Sequence, residues 1–219
     1  LYTYWDAFWL GPPSKNNMLA YIATIWFTGN DGARTFQRYE RDSLTAYLST
    51  AGKRAFVTGQ DIGWDIYSVG GPAIPESDAF YTNTLGANYL YDSVSWISGT
   101  GQNPIRGVGG DPVSDVPPPL ETFISNDGFY GGAGNQGWPS GIAPSIGSTV
   151  VFWYVDPNTG NILNDGDPYY RDIAAGVRWQ VGTGTAARKA LYFAFGYEGI
   201  TDDEVRALLM AKIVTWLTT

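Results

Sequence analysis

The fold is decided by the stretch LTAYLSTAGKRAFVTGQD, residues 44–61. Apolar side chains recur at helical spacing from Leu44 to Ala51, which predicts a helix over about Thr35 to Ala51 with Gly52 as its C-cap. The segment RAFVT that follows predicts a buried strand, and the earlier apolar run YIATIWFTGND predicts another. A strand, a helix and a second strand in this order predict a parallel pair with a right-handed crossover.

Polar residues follow both strands of this pair, in the segments FTGND and TGQDIGWD. Loops at the carboxyl ends of parallel strands form the ligand crevice of such sheets. In many α/β enzymes this junction presents a nucleophile, whereas here it presents Gln60 and Asp61. Two acids four residues apart share one face of a helical turn. We therefore predict a ligand-binding site built from Gln60, Asp61, Trp64, Asp65 and Glu198.

Two other interpretations of these acids stay open. Asp61, Asp65 and Glu198 could be the catalytic carboxylates of a hydrolase, for example one that acts on glycans, which requires carboxyl groups about 5 to 10 Å apart. In a purely structural interpretation, Asp61 caps the turn that follows it and Glu198 accepts hydrogen bonds from backbone amides of the same loop.

The composition excludes several classes of function. The chain of 219 residues contains no cysteine and no histidine, which excludes thiolate chemistry, a Ser-His-Asp triad and a zinc site of the usual nitrogen and sulfur type. A net charge of -8 without a cluster of Lys or Arg argues against a nucleic-acid partner. The longest apolar run, Val150 to Val155, is too short to span a membrane.

Regular structure is predicted in the rest of the chain as well. Residues 1–5, LYTYW, form a short strand candidate, and a helix is expected over Ser77 to Leu85. Strands are predicted in STVVFWYVD, AAGVRWQV and KALYFAFGYE, and a helix over Thr201 to Leu217 begins with the capping box of Thr201 and Glu204. The Gly- and Pro-rich region 86–148 is interpreted as an irregular insertion with short strands, within a single α/β domain of residues 1–219.

The helix, Gly-Lys pair, strand and polar turn of residues 44–61 resemble the nucleophile elbow of class I glutamine amidotransferase-like domains, which have a flavodoxin-like fold. FGYE, Phe195 to Glu198, resembles the Phe-His-Pro-Glu-like motif that supplies the base and its orienting acid in those enzymes. At the matching positions this chain has Gln60 for the cysteine, Gly196 for the histidine and Glu198 for the acid. The resemblance covers residues 20–66 and 188–218.

This resemblance implies a mostly parallel, flavodoxin-like sheet with flanking helices, on which both reactive groups are missing. The loop and strand end are also similar to those of non-catalytic domains attached to secreted bacterial and archaeal proteins, which implies an extracellular or cell-surface location. The acidic, aromatic-rich composition with four lysines favours the same location.

The resemblance also implies a strand that this chain does not contain. Domains of this kind open with a central strand before the strand that we predict at residues 1–5, and in the flavodoxin-like order that first strand lies between its two neighbours. Its omission leaves backbone hydrogen-bonding groups unpaired. We therefore expect another polypeptide or an upstream segment to supply the strand, or a homo-oligomer or larger assembly to form.

Two further motifs can be interpreted either as ligand sites or as ordinary structural features. DPNTGNILNDGD, residues 156–167, has oxygen ligands at alternating positions, so Asp156, Asn158, Asp165 and Asp167 are an alternative calcium site. Two hairpin turns explain the same residues, since the terminal glutamate of an EF-hand is absent. Aromatic residues in loops suggest a sugar-binding platform, although most such side chains are buried in cores. The candidates are Trp5, Trp9, Trp64, Trp138, Tyr169 and Tyr170.

These observations favour a non-catalytic interaction or assembly module of a secreted or surface protein, with no cofactor. The alternatives are a carboxylate-dependent hydrolase and a calcium-stabilised adhesive domain.

Overall fold

The computed structural model describes residues 2–29, 31–67, 75–94, 103–115, 123–125, 133–134, 136–164 and 172–219. Short helical turns lie at Phe80–Leu85 (a π-helix), Gly184–Ala186 and Tyr197–Gly199 (both 3₁₀). The other elements are, in chain order, α1 (Ala7–Leu10), α2 (Lys15–Leu19), β1 (Ala23–Phe27), α3 (Arg38–Leu48), β2 (Arg54–Thr58), α4 (Ile62–Tyr67), α5 (Pro75–Ala79), β3 (Ala87–Tyr91), β4 (Asn103–Gly107), β5 (Phe123–Ser125), β6 (Gly141–Pro144), β7 (Thr149–Tyr154), β8 (Ala174–Val181), β9 (Arg188–Phe193) and α6 (Asp203–Thr218).

These strands form one sheet in the order β1-β2-β9-β8-β7-β4-β5, to which β6 adds through β8 and β3 through β6. The predicted parallel pair is confirmed, since β1 pairs with β2 and β2 with β9 in parallel. The other described pairs are antiparallel, so the sheet is mixed and the prediction of a mostly parallel sheet is wrong. The connection between β8 and β9 spans only residues 182–187, which is too short for a parallel crossover.

Helices cover both faces of the parallel part of the sheet. Phe56 and Leu191 pack in one core with Leu209 and Ile213 of α6. The neighbouring residues on the strands point to the opposite face and pack in a second core with α3, where Leu44 is fully buried. All five residues of β2 are consequently buried, as the sequence pattern predicted.

Two buried cations hold the carboxyl end of α6. Arg54 Nη1 donates a hydrogen bond of 2.6 Å to the carbonyl of Leu217, and Lys189 Nζ donates one of 2.7 Å to the carbonyl of Trp216. Arg54 and Lys189 face each other in the register of β2 and β9. Cations are favourable at this end of a helix because the last carbonyls have no partner within the helix and carry partial negative charge.

The N-cap of α6 lies one residue later than the sequence predicted. Asp202 is the N-cap, and its carboxylate accepts hydrogen bonds from the amides of Glu204 and Val205. The predicted capping box of Thr201 and Glu204 is therefore wrong. Asp and Thr are both good N-caps, and the acid gains more from the positive end of the helix dipole.

The predicted strand at residues 1–5 is also not observed. Residues 2–6 have no regular secondary structure, and Asp6 caps the short helix α1. A β-strand needs a neighbour for its hydrogen bonds, and the described residues place no strand beside this segment.

Region 86–148 contributes strands to the sheet, in agreement with the prediction of short strands there. β4 pairs with β7, while Val94, Ile105 and Val113 join the core that α6 covers. Asp111, whose side chain is almost fully buried, forms an ion pair of 2.6 Å with Arg178 of β8. In the part of the chain that the structure describes, no helix has the length and apolar character needed to cross a membrane.

Candidate functional site

At the elbow, the turn that follows β2, the position of the nucleophile is occupied by Gln60, which is not a reactive side chain. Gln60 is fully buried, and its Oε1 accepts a hydrogen bond of 2.9 Å from the amide of Trp138. Its carbonyl accepts another of 2.7 Å from Ser140 Oγ. Gln60 therefore links the elbow to the segment before β6, and its side chain is not available at the surface for a ligand.

The loop after β9 is packed against the elbow in a similar way. Thr58 Oγ1 donates to the carbonyl of Phe195 at 2.6 Å and accepts from the amide of Tyr197 at 2.9 Å. The amide of Gly196 donates to Gln136 Oε1 at 2.6 Å. A Cβ atom at Gly196 would overlap Gln136 and lie 2.5 Å from Glu198 Oε1, so this position has no room for a side chain unless its neighbours move.

An open cavity of about 380 Å³ lies beside the elbow, at the carboxyl ends of β1 and β2. Asp61 follows β2, and Trp64 lies one turn later on α4. β3 ends just before Asp92. The loop after β1 brings Gly32 close to Asp61: a Cβ atom added at Gly32 would lie 3.7 Å from Asp61 Oδ2. The described residues that line the cavity are Gly32, Asp61, Trp64, Asp92 and Trp138.

The two acids of this cavity lack hydrogen-bond donors among the described residues. Asp61 is only 5% exposed, and no described group donates to its carboxylate. Asp92 Oδ1 is buried and has no hydrogen-bond partner there. Burial, followed by the negative charges of Asp92 and Asp65, raises the pKa of Asp61 to about 7, and burial also raises the pKa of Asp92.

Asp65 has a different role from Asp61. Its carboxylate accepts hydrogen bonds from the amides of Arg34 and Thr35, at 3.0 and 2.8 Å, and from Thr35 Oγ1 at 2.8 Å. Arg34 has a positive φ of 63°, so Asp65 stabilises a strained turn in the loop after β1. Asp65 thus holds the loop that carries Gly32 and is not among the residues lining the cavity.

The predicted site residues are therefore brought together only in part. Asp61 and Trp64 line the cavity, whereas Gln60, Asp65 and Glu198 lie in the surrounding hydrogen-bond network; Glu198 is within 3.5 Å of Gln136 Nε2. The trio Asp61, Asp65 and Glu198 does not converge on this cavity as the hydrolase alternative requires. Sequence reasoning missed Asp92 and Gly32, and it considered Trp138 only as part of a sugar platform.

The raised pKa of Asp61 makes stability depend on pH. Between the ordinary value of 3.8 and about 7, the folded state keeps a proton that the unfolded chain releases. The stability due to this proton is fully present below pH 3.8 and is lost as pH rises through 7. We expect Asp61→Asn to raise the free energy of unfolding by about 2 kcal/mol at pH 8 and to leave it nearly unchanged at pH 4.

Urea denaturation of both proteins at the two pH values measures this difference. Asp42→Asn removes an equal charge from an exposed position of α3 and is expected to have no such pH-dependent effect. An equal effect of Asp61→Asn at pH 4 and pH 8 would contradict the prediction.

A second candidate site is the outer edge of β1, which no described strand covers. The carbonyl of Ile22 accepts a hydrogen bond from the amide of Arg54, and the amide of Thr28 donates one to the carbonyl of Thr58. The backbone N–H and C=O groups of the even-numbered residues of β1 therefore point toward β2. Backbone polar groups alternate along a strand. The N–H and C=O groups of Ala23, Ile25 and Phe27 therefore point outward.

Apolar side chains accompany this open edge. Ile25 is 40% exposed and Phe27 is 49% exposed, although the ring of Phe27 still contacts those of Phe56 and Tyr197. The residues that precede β1 add further large exposed hydrophobic side chains. They are Tyr2, Tyr4, Trp5, Phe8, Trp9, Leu10, Tyr21 and Ile22.

The alternative calcium residues lie only partly within the described chain. Asp156 accepts hydrogen bonds from the amide of Asn158 at 2.8 Å and from Thr159 Oγ1 at 3.0 Å, inside a turn that the bridge between Val155 and Ile162 closes. This confirms the first predicted hairpin turn. Asp165 and Asp167 lie outside the described residues, as do Tyr169 and Tyr170. Within the described ranges, no three acidic side chains are grouped to hold a metal ion.

Comparison with known proteins is informative for the fold alone. No protein-family model matches the chain, and no curated protein matches it. Among solved structures it is similar to the mmIFT52 N-terminal domain, with a TM-score of 0.56 and 11% sequence identity over 94% of this chain and 81% of that one. At this identity the likeness concerns the architecture of the sheet and its flanking helices.

Proposed function

We propose that this domain is a non-catalytic interaction or assembly module that accepts an extended apolar strand of another polypeptide along the outer edge of β1. The observation that carries the proposal is the row of outward-facing backbone groups of Ala23, Ile25 and Phe27, which no described residue pairs, beside exposed apolar side chains. Strand addition to such an edge is a common mode of peptide recognition, in which backbone hydrogen bonds supply affinity and side-chain contacts supply specificity.

The composition of β1 supports an occupied edge. Proteins usually protect an exposed edge with charged side chains, prolines or bulges. The sequence of β1, ATIWF, contains no charge and no proline, and its pairing with β2 has a regular register. An incoming apolar strand would cover Ile25 and Phe27 and would satisfy the outward-facing backbone groups.

The N-terminal segment favours a strand from elsewhere over a second copy of β1. Residues 2–5 have a strand-like sequence but no described strand neighbour, and Tyr2 and Tyr4 are exposed. The resemblance to flavodoxin-like domains implies an order in which one inserted strand lies between this segment and β1 and pairs with both. A second copy of β1 would leave residues 2–5 unpaired.

The elbow supports the non-catalytic part of the proposal. The side chain of Gln60 is buried in a hydrogen bond, and Gly196 is enclosed by Gln136 and Glu198. Neither position offers a nucleophile or a base. The proposed location outside the cell or at its surface is supported by the acidic, aromatic-rich and lysine-poor composition.

Hydrogen exchange tests whether the edge is occupied. We expect the amides of Ile25 and Phe27 to exchange freely in the isolated 219-residue chain and about 100-fold more slowly in native material that contains the partner segment. Native mass spectrometry of the same material would identify the source of the strand, either a separate polypeptide or an upstream segment of the same one. Free exchange in both samples would refute the proposal, and a dimer of this chain alone would identify the occupant as a second copy.

A substitution at the edge provides a matched control. Ile25→Pro removes an outward N–H that β2 does not use, so it should abolish the protection and the association while lowering the free energy of unfolding by about 1 kcal/mol or less. Ile25→Thr keeps the N–H and the β-branched shape, and it should retain most of the protection. Equal association of the two variants would contradict pairing through the backbone.

A further inference from the structure

We propose that the cavity beside the elbow binds a small organic cation with N–H donors, an ammonium or a guanidinium group, between Asp61 and Asp92. This site is separate from the edge of β1, and the proposal does not depend on strand docking. Its strongest support is a carboxylate that is almost completely buried, lines a cavity and receives no hydrogen bond from any described residue.

The hydrogen-bonding needs of the two acids define one part of the ligand. An ionised carboxylate can accept several hydrogen bonds, and burying it without donors is costly. The described residues provide none for Asp61, and Asp92 Oδ1 is likewise buried without a partner. A ligand that donates N–H groups to both carboxylates would remove this cost, whereas a ligand without donors would not.

The charges around the cavity define another part. Asp92 and Asp65 both act on Asp61 with negative charge, and no Lys or Arg is among the described residues that line the cavity. A cation therefore gains from all three acids. Trp64 and Trp138 also line the cavity, and aromatic side chains attract desolvated cations.

The size and composition of the cavity disfavour a metal ion. Calcium takes six to eight oxygen ligands, largely from carboxylates and carbonyls, while the described lining of the cavity contains only two acids and the described residues hold no group of three acidic side chains suited to a metal ion. A volume of about 380 Å³ accommodates a ligand of the size of a lysine or arginine side chain. The same chemistry is present in free diamines and in the basic side chains of polypeptides, so the test must separate these two sources.

Calorimetric titration at pH 8 and low salt would test the proposal with defined probes. Agmatine and cadaverine represent free amines, and acetyl-Gly-Lys-Gly-amide and acetyl-Gly-Arg-Gly-amide represent basic side chains. Choline is a cation without N–H donors, and methyl glucoside is neutral. We expect saturable binding of one amine or guanidine probe per chain, at least about 10-fold tighter than that of choline and methyl glucoside, because only N–H donors satisfy the carboxylates.

The series also distinguishes the sources. Preference for the free amines would indicate a small-molecule ligand, and preference for the peptides would indicate a basic side chain of a partner. Either preference supports the proposal. Binding of choline or methyl glucoside as tightly as the best N–H cation would overturn it, and so would the absence of saturable binding by any amine or guanidine probe.

Variants and pH provide the internal controls. Asp61→Asn and Asp92→Asn should each weaken binding about 10-fold or more, whereas the exposed Asp42→Asn should leave it unchanged. Binding should also strengthen about 10-fold between pH 6 and pH 8, as Asp61 loses its proton in the field of Asp92 and Asp65. Since Asp61→Asn is expected to be more stable than the parent at pH 8, unfolding does not explain a loss of binding. Undiminished binding by Asp61→Asn would refute the site.

Discussion

Replacement of Arg54 by methionine is expected to lower the free energy of unfolding by about 3 kcal/mol. The guanidinium is 3% exposed and donates to three carbonyls, those of Leu217, Gly184 and Ala187, at 2.6, 3.2 and 3.4 Å. Methionine fills a similar volume but leaves the carbonyls of Leu217 and Ala187, whose hydrogen bonds are buried, and the partly exposed carbonyl of Gly184 without their donor. The carboxyl end of α6 would then lose one of the two buried cations that donate to its last carbonyls.

Urea denaturation at pH 7 measures this effect. Arg38→Met is the matched control, because Arg38 lies on α3 with its side chain 80% exposed, and it should change the free energy of unfolding by less than about 0.5 kcal/mol. Lys189 would remain bonded to the carbonyl of Trp216 in both variants. A loss of less than about 1 kcal/mol for Arg54→Met would show that the carbonyls find other partners.

Gly59→Ala is expected to cost about 3 kcal/mol through overpacking at the elbow. The new Cβ would overlap Thr28 Oγ1 and would lie 3.1 Å from Thr28 Cβ and 3.2 Å from Ile62 Cδ1. Because β1, β2 and α4 meet at this point, none of the three elements can move away without disturbing the sheet. Chemical denaturation would measure the loss, and Gly109→Ala, which has open space around its Cβ, should cost less than about 1 kcal/mol.

A double-mutant cycle would identify the cause of the Gly59→Ala effect. Thr28 Oγ1 is buried without a hydrogen-bond partner among the described residues, so Thr28→Ala alone removes no described hydrogen bond. Combined with Gly59→Ala it should restore about 2 kcal/mol, since the overlapping oxygen is then absent. Additive effects of the two substitutions would contradict a steric cause.

The elements that the sequence predicted well are those whose side-chain pattern reflects burial on defined faces. Apart from Arg54, Thr58 and Lys189, the segments RAFVT and KALYFAF are apolar because helices cover both faces of the sheet there. The apolar side chains of α6 pack against one of these faces. The direction of β8 could not be predicted in this way. It depends on the short connection at residues 182–187, and side-chain periodicity is the same in parallel and antiparallel strands.

Other errors have local causes. Thr201 and Asp202 are adjacent and are both suitable caps, so the sequence pattern does not select between them. Residues 1–5 have strand-forming side chains, but strand formation depends on a neighbouring strand that the described residues do not provide.

The candidate site was predicted only where its residues are local in sequence. Asp61 and Trp64 follow directly from the strand that ends at Thr58, and both line the cavity. Gly32 and Asp92 follow other strands, β1 and β3, so the sequence does not show that they lie near Asp61. Asp92 also belongs to a Gly- and Pro-rich region in which the sequence does not indicate how the strands pair. Glu198 was assigned to the site because it follows β9, but Gln136, from the same region, contacts it instead.

The ion pair between Asp111 and Arg178 has a consequence for how the chain can be divided. Region 86–148 completes the core beneath α6 and anchors it through a nearly inaccessible carboxylate. Excision of the region would therefore leave Arg178 without its described counter-ion and would expose the interior of β7 and β8 to water. Region 86–148 therefore cannot be replaced as an independent unit. We expect the chain to unfold in one cooperative transition.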